Sequence, residues 1–363
     1  MANNHNKNFK LKNGWIFSAK EDTLVFIGPL IIAWTFILFL IFTNYADIGN
    51  TPLGLIAIFF IAVDMPHVYS TIFRTYLDKA ELKKRKLLFI ISPILCFLFF
   101  FVTYLNSSKW FWFLLAYFAI FHFIRQQYGW MMWTSTKGGE LNGFDKNLNR
   151  VVIYNAVLFP LIWVLSNQTP IMWFSEGDLS AFLPEIVGTV SLVIHWIINL
   201  IYISRQLHLF FTKKGINLAK NMVLITTWIA WYVPFVILGH LGYYIAGVAI
   251  QTLVHGIPYI YLLYKYGQNR AKTSLNVPKW ILKTKGIVIS YSIFMLFALI
   301  EFIGHDVESV SFFSSDLNLN ALIVAIIIFI VIVPQTTHYL LDGFIWRTKN
   351  DFELRKALDF SKT

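Results

Sequence analysis

The 363 residues are 57% hydrophobic and only 13% charged, with 35 Phe, 17 Tyr and 13 Trp, the composition of a polytopic membrane protein and not of a soluble domain. A single cysteine, Cys96, excludes a disulfide scaffold or a thiolate metal site within one chain. The formal charge of +11 follows the ends of apolar runs and brings no recognition helix, RNP motif or zinc-finger spacing, so it points to anionic lipid and away from nucleic acid.

In chain order, a polar segment, 1–22, leads straight into an apolar run without a cleavable signal, and reads as a cytoplasmic tail. Runs long enough to cross a hydrocarbon core of about 30 Å fall at 23–43, 52–70, 87–106, 110–131, 150–166, 181–204, 221–243, 245–265, 286–303 and 321–345. The fifth and ninth are the shortest. The expected fold is therefore all-α: a polytopic helical bundle of about ten transmembrane helices forming one domain over 23–346, with a cytoplasmic tail at 347–363. Segments 44–51, 134–149, 167–180, 266–280 and 304–320 have loop composition. Lys and Arg concentrate in alternate connections, six of them in 71–86, four in 205–220 and six in 265–285, with Lys137, Lys146 and Arg150 at the connection between the fourth and fifth runs, whereas the connections on the other side hold only Lys109. By the positive-inside rule both termini are cytoplasmic.

Nine histidines stand out against this background. His5 lies in the tail and His208 in an inner loop beside Lys213 and Lys214, and both read as solvated. The other seven lie in or beside apolar runs, where polar side chains are costly and face the protein interior. His240 and His305 fall toward the outer face, where His305 and Glu301, four residues apart, suggest a second polar site. His67, His122, His195, His255 and His338 fall at or below mid-depth on the second, fourth, sixth, eighth and tenth runs. All five of these runs travel from outside to inside, so their imidazoles can converge.

Helical spacing gives four of these histidines partners on their own faces: Asp64 three residues before His67, Gln126 four after His122, Tyr259 four after His255 and Asp342 four after His338. A carboxylate beside an imidazole takes one ring proton and strengthens the other nitrogen as a ligand. Three or four imidazoles with one or two carboxylates suit Fe(II) first, with Zn(II) or another transition metal also accommodated. The preferred metal set is His67, His122, His255 and His338, with His195 able to replace one member and Asp64, Gln126 and Asp342 as supporting or alternative ligands. Pro66 distorts the helix beside His67. Arg74, beyond the end of the run, reads as exposed and in contact with lipid phosphate.

The stretch YFAIFHFIRQ, residues 117–126, resembles the YF-x-x-WH-x-x-RH signature of the Brp/Blh-type bacterial carotene dioxygenases. Tyr117, Phe118, His122 and Arg125 match; Phe121 stands in place of Trp and Gln126 in place of the final His. Pro66-His67 is similar to that family's first histidine motif, and His338 with Asp342 to its last metal-binding segment. The resemblance implies a multi-helix membrane enzyme with histidine-bound ferrous iron that cleaves a carotenoid oxidatively. Membrane desaturases and hydroxylases fit less well, because their closely spaced histidine boxes are absent and no two histidines here lie within five residues.

The functional expectation is a membrane-embedded, histidine-ligated iron oxidoreductase that uses O2 on a lipophilic substrate such as a carotenoid, isoprenoid or lipid chain. Arg125, Gln126 and Tyr259 are its candidate catalytic residues. Aromatic residues around 110–133 and 228–244 are available to line a tunnel. Two other classes stand beside it. One is a transporter or channel relaying protons through the histidines, Asp64, Asp342 and Glu301, with Pro234, Pro258 and Pro334 as helix breaks. The other is a structural or assembly protein.

Overall fold

The computed structural model describes residues 11–45, 58–140, 143–167, 173–174, 178–179, 182–239, 244–273, 283–309 and 321–359. In parts of these, including 301–309, only the backbone is described. The described residues are helical almost throughout, and a lone bridge between Leu11 and Ile216 is extended.

The helices are α1 (Ala19–Phe42), α2 (Met65–Ser70), α3 (Lys79–Lys84), α4 (Lys86–Asn106), α5 (Ser108–Lys137), α6 (Gly143–Ser166), α7 (Glu185–Phe211), α8 (Leu218–Tyr232), α9 (Tyr244–Thr273), α10 (Thr284–Ser309), α11 (Ala321–Ile345) and α12 (Phe352–Ala357). Many begin where a short polar side chain meets an orphan backbone N–H. Ser18 opens α1 as a capping box, accepting from the Glu21 amide at 3.2 Å while donating to its carboxylate at 2.8 Å. Asn217 caps α8 through the Lys220 amide at 3.1 Å, and Asp351 caps α12 through the Leu354 amide at 3.0 Å.

The centre of the bundle is α5, which packs against α4, α6, α8 and α11, while α9 packs against α1, α8 and α2. One core joins α1, α5, α8 and α9 through Leu30, Ala33, Ile120, Phe123, Trp231 and Leu253. A second, rich in aromatic rings, joins α4, α5 and α11 through Phe100, Phe111 and Phe329. At the periphery, α4 and α7 keep most of their apolar residues exposed. This is the pattern of a surface facing lipid.

Helices long and apolar enough to cross a membrane number five among the described residues, not the ten expected: Ala19–Phe42, Lys86–Asn106, Gly143–Ser166, Glu185–Phe211 and Leu218–Leu238. The protein is a multi-pass helical membrane protein, with half as many such helices among its described residues as the sequence suggests. The 52–70 run breaks into a π-helical turn (Phe60–Asp64), the six-residue α2 and a 3-10 turn (Thr71–Phe73). Runs 110–131 and 245–265 lie in the 30-residue helices α5 and α9, whose Tyr, Trp, His and Gln side chains carry polar groups that hydrocarbon does not satisfy. The 286–303 run contributes a shorter apolar segment, Lys285–Ile300. Much of the first half of α11, from 321–345, has side chains outside the described residues. The helices outside these five include those that carry the histidine cluster described below.

Arg74 also departs from expectation, being wholly buried. Its guanidinium is 3.1 Å from Glu81 and 3.5 Å from Asp351, donates to Tyr266 Oη at 2.6 Å and to the Ile345 carbonyl at 3.1 Å, and lies 4.4 Å above the Tyr266 ring. Asp351 is shared with Lys84 at 3.0 Å and Arg85 at 2.8 Å. This network ties the connection after α2 to α9 and to the chain beyond α11. A buried guanidinium stripped of its partners is strongly destabilising.

Burial pushes the Asp351 carboxyl upward, but the Leu354 amide, Lys84 and Arg74 outweigh it and hold the group below the usual carboxylate range. Because the folded value is the lower one, the stabilisation is complete above the unfolded value of about 3.9 and is lost as pH falls through the folded value. Asp351→Asn should therefore flatten the fall in thermal stability below about pH 4. Arg74→Met should cost about 3–5 kcal/mol at neutral pH, read from thermal unfolding.

Candidate metal centre

Pro66 has no N–H, so the Ala62 carbonyl loses its ordinary helical donor; the Tyr291 hydroxyl from α10 donates to it instead. The π-helical turn just before it closes with the Met65 amide on the Phe60 carbonyl. Immediately downstream, the buried His67 Nδ1 lies 3.6 Å from the Asp64 carboxylate. A proton on Nδ1, on the side of that carboxylate, leaves the Nε2 lone pair facing inward.

Three more imidazoles meet it there. His67 Nε2 is 3.1 Å from His255 Nε2, which is 3.1 Å from His122 Nε2, which is 3.1 Å from His338 Nε2. All four residues are between 1% and 4% exposed, and one ligand atom from each lies within 4.8 Å of every other. This arrangement is not a hydrogen-bonded chain, because one ring nitrogen carries either a single proton or a single lone pair and cannot serve two neighbours. Nitrogens bound at about 2.1 Å to one ion stand about 3.0–3.4 Å apart, depending on the angle between them. The cluster therefore fits a transition-metal ion, with imidazole donors that suit iron and zinc alike.

Asp342 adds a carboxylate 3.8 Å from His122 Nε2 and 3.7 Å from His338 Nδ1. Its supporting hydrogen bonds run in one direction. The Tyr259 hydroxyl donates to Asp342 Oδ1 at 2.7 Å, so it accepts from Thr71 Oγ1 at 2.8 Å and from Trp346 Nε1 at 3.4 Å. Thr71, having given its proton to Tyr259, accepts from His338 Nδ1 at 2.7 Å. The chain fixes His338 in the tautomer that turns an Nε2 lone pair toward the other three rings.

Close approach of α9 to the π-helical turn depends on Gly256. A Cβ there would lie 2.7 Å from Val63 Cγ1, 3.3 Å from the Val63 carbonyl oxygen and 3.6 Å from His67 Nδ1. The rings are further held by Tyr339, stacked on His122 at 4.9 Å, and by Phe123, 4.0 Å from His255.

The structure brings together His67, His122, His255 and His338, with Asp64 and Asp342 beside them. His195 stands apart, buried on α7 between Phe159 and Tyr232; its Nε2 accepts from Trp228 at 3.0 Å and its Nδ1 is 3.0 Å from the Asn155 side-chain amide. Both ring nitrogens are engaged, and neither is offered to a metal. Two same-face partners also reach elsewhere. Gln126 donates to the His255 carbonyl at 3.2 Å, and Tyr259 serves Asp342 and Thr71 in place of His255. Thr71 and Trp346 are absent from the sequence reading although each lies four residues beyond a member already singled out, His67 and Asp342. His208 is exposed in the last turn of α7, not in a loop. His5 and His240 lie outside the described residues, and for Glu301 and His305 only the helical backbone of α10 is described.

A cavity of about 1060 Å³ opens onto the cluster. His122, Arg125, Gln126, Tyr259 and Asp342 lie in its wall among aromatic residues such as Phe118 and Tyr128.

No family model, curated protein or solved structure matches this chain, so its likeness to the carotene dioxygenases rests on the short motifs quoted above.

The purified protein should carry a transition metal by elemental analysis. His122→Ala and His338→Ala should remove it, and Thr71→Val should weaken binding about 10–100-fold. His195→Gln should leave the metal content unchanged.

Gly256→Ala should lower metal occupancy although alanine is the better helix former by about 1 kcal/mol, while Gly28→Ala, where a Cβ meets nothing within 4 Å, should not.

Proposed function

We propose that the protein is a membrane-embedded, iron-dependent oxidoreductase of oxygenase or desaturase type acting on a lipophilic substrate. The observation that carries the reading is the shared wall: His122 and Asp342 belong both to the buried imidazole cluster and to the cavity of about 1060 Å³. A catalytic site needs open space for substrate beside the ion, which a purely structural site does not.

His67, His122, His255 and His338 hold the ion, and ferrous iron supplies the redox chemistry with O2 when bound there. The residues of the chain supply the rest. Phe118, Phe121, Tyr128 and Trp133 line the cavity and position an apolar chain while excluding water. Tyr259 and Asp342, 2.7 Å apart, hold a proton between cavity and cluster. Thr71 and Trp346 orient that pair from behind. The likeness of 117–126 to the carotene dioxygenases agrees with this assignment in its His122 and Arg125, while Gln126, bonded to the His255 carbonyl, fastens α5 to α9 where that family has a histidine.

Protein purified without oxygen should contain iron. On admission of O2, mass analysis of its extracted lipids should reveal an oxygenated, desaturated or cleaved product that His122→Ala does not form. A metal-free preparation that instead carries protons or a solute across vesicle membranes would overturn the assignment.

A further inference from the structure

The cavity wall contains a guanidinium with no acidic partner among the described residues. Arg125, half-buried on α5, uses Nη1 to donate to the Tyr154 hydroxyl at 2.5 Å, and its plane lies 4.8 Å from the centre of the Tyr128 ring. Tyr128 and Tyr154 are themselves stacked at 5.1 Å, so the side chain is clamped in place. The pairings that the sequence suggests for it, with Asp64 or Asp342, are not made among the described residues. The acids facing this cavity are otherwise committed: Asp342 to Tyr259 and the cluster, and Asp351 to Arg74, Lys84 and Arg85. Arg85 is paired with Asp351 and Glu81, and Arg347, exposed on the wall, donates to the Gly343 carbonyl. Arg125 is thus the half-buried cation of this wall whose charge goes unanswered among the described residues.

A guanidinium has five N–H donors in a rigid fork, and a tyrosine hydroxyl occupies one of Arg125's. The remaining edge matches the two oxygens of a carboxylate or phosphate, and the stacked aromatic face preorganises it. Arg125 lies three residues after His122, about 4.5 Å farther along the helix axis and on nearly the same face.

From this we infer that the substrate is an amphipathic single-chain lipid with an anionic end, carboxylate or phosphate, which Arg125 holds in the cavity about one helical turn from the imidazole cluster. The apolar remainder lies against the aromatic wall. Carbons near the charged end, not those at the far tail, are thereby brought to His122. The inference rests on the cavity being the substrate site, and it concerns binding, which requires no turnover.

The test is equilibrium binding of oleate, oleyl phosphate and oleyl alcohol to the full chain as purified, kept without oxygen so that no turnover occurs, in phosphatidylcholine nanodiscs. Both anionic lipids should bind at least about tenfold more tightly than the alcohol, in keeping with a charge-assisted hydrogen bond. Arg125→Gln should erase that preference without changing alcohol binding, Arg125→Lys should restore part of it, and Arg347→Gln should leave it in place. Equal binding of the three ligands to wild type, or a preference that survives Arg125→Gln, would overturn the inference. Nanodiscs containing phosphatidylglycerol form the second arm. Full displacement of oleate by that lipid would show that Arg125 holds a bilayer headgroup, and would also overturn it. Selective binding by a protein that never turns over lipid would instead refute the proposed oxidoreductase and leave the anionic-lipid assignment standing.

Discussion

Four imidazole nitrogens directed at one buried point form the constraint on which this architecture depends. Their 3.1 Å separations are ordinary hydrogen-bond lengths, but a nitrogen shared between two neighbours cannot satisfy both, and a cation relieves the mutual repulsion of the lone pairs. Two nearby carboxylates, Asp64 and Asp342, match the charge of a divalent ion, so the assembly can approach neutrality away from water. The ligands come from α2, α5, α9 and α11, elements far apart in sequence, and a bound ion therefore joins segments that hydrophobic packing alone would leave free to slide.

The irregular backbone lies where that convergence demands it. The π-helical turn and Pro66 interrupt the regular bonding just before His67, and Tyr291 satisfies the acceptor that Pro66 leaves without a partner. On the opposing side Gly256 brings α9 close to this turn. The network from His338 through Thr71 and Tyr259 to Asp342 performs the same service for a second ligand. Positioning the cluster thus involves residues that contact no metal.

A division of labour follows among the helices. Peripheral α4 and α7 turn Leu, Ile and Phe toward the lipid, and their interior contacts are few. The helices that hold the site carry Gln, His, Tyr and Arg on faces turned inward, with polar groups satisfied by one another. Arg74, sunk into its own shell of acids and aromatic rings, belongs to this second class, as does the cavity wall bearing Arg125 and His122.

The sequence by itself determined the helical, membrane-type character of the protein, since long apolar runs between charged connections admit little else. It also determined the pairing of His67 with Asp64 and of His338 with Asp342, because three- and four-residue spacing fixes the face of a helix locally. Tertiary structure alone decided which histidines meet. His195 lies in an apolar run much as the others do, yet α7 turns it toward Phe159, Trp228 and Tyr232, and rotation about a helix axis is set by neighbouring helices and not by position along the run. The same reason moved Gln126 and Tyr259 to partners on other helices and concealed Thr71 and Trp346. It also reduced ten apolar runs to five span-length helices among the described residues, because a run of aromatic and imidazole side chains looks alike in sequence whether it faces lipid or encloses a polar site.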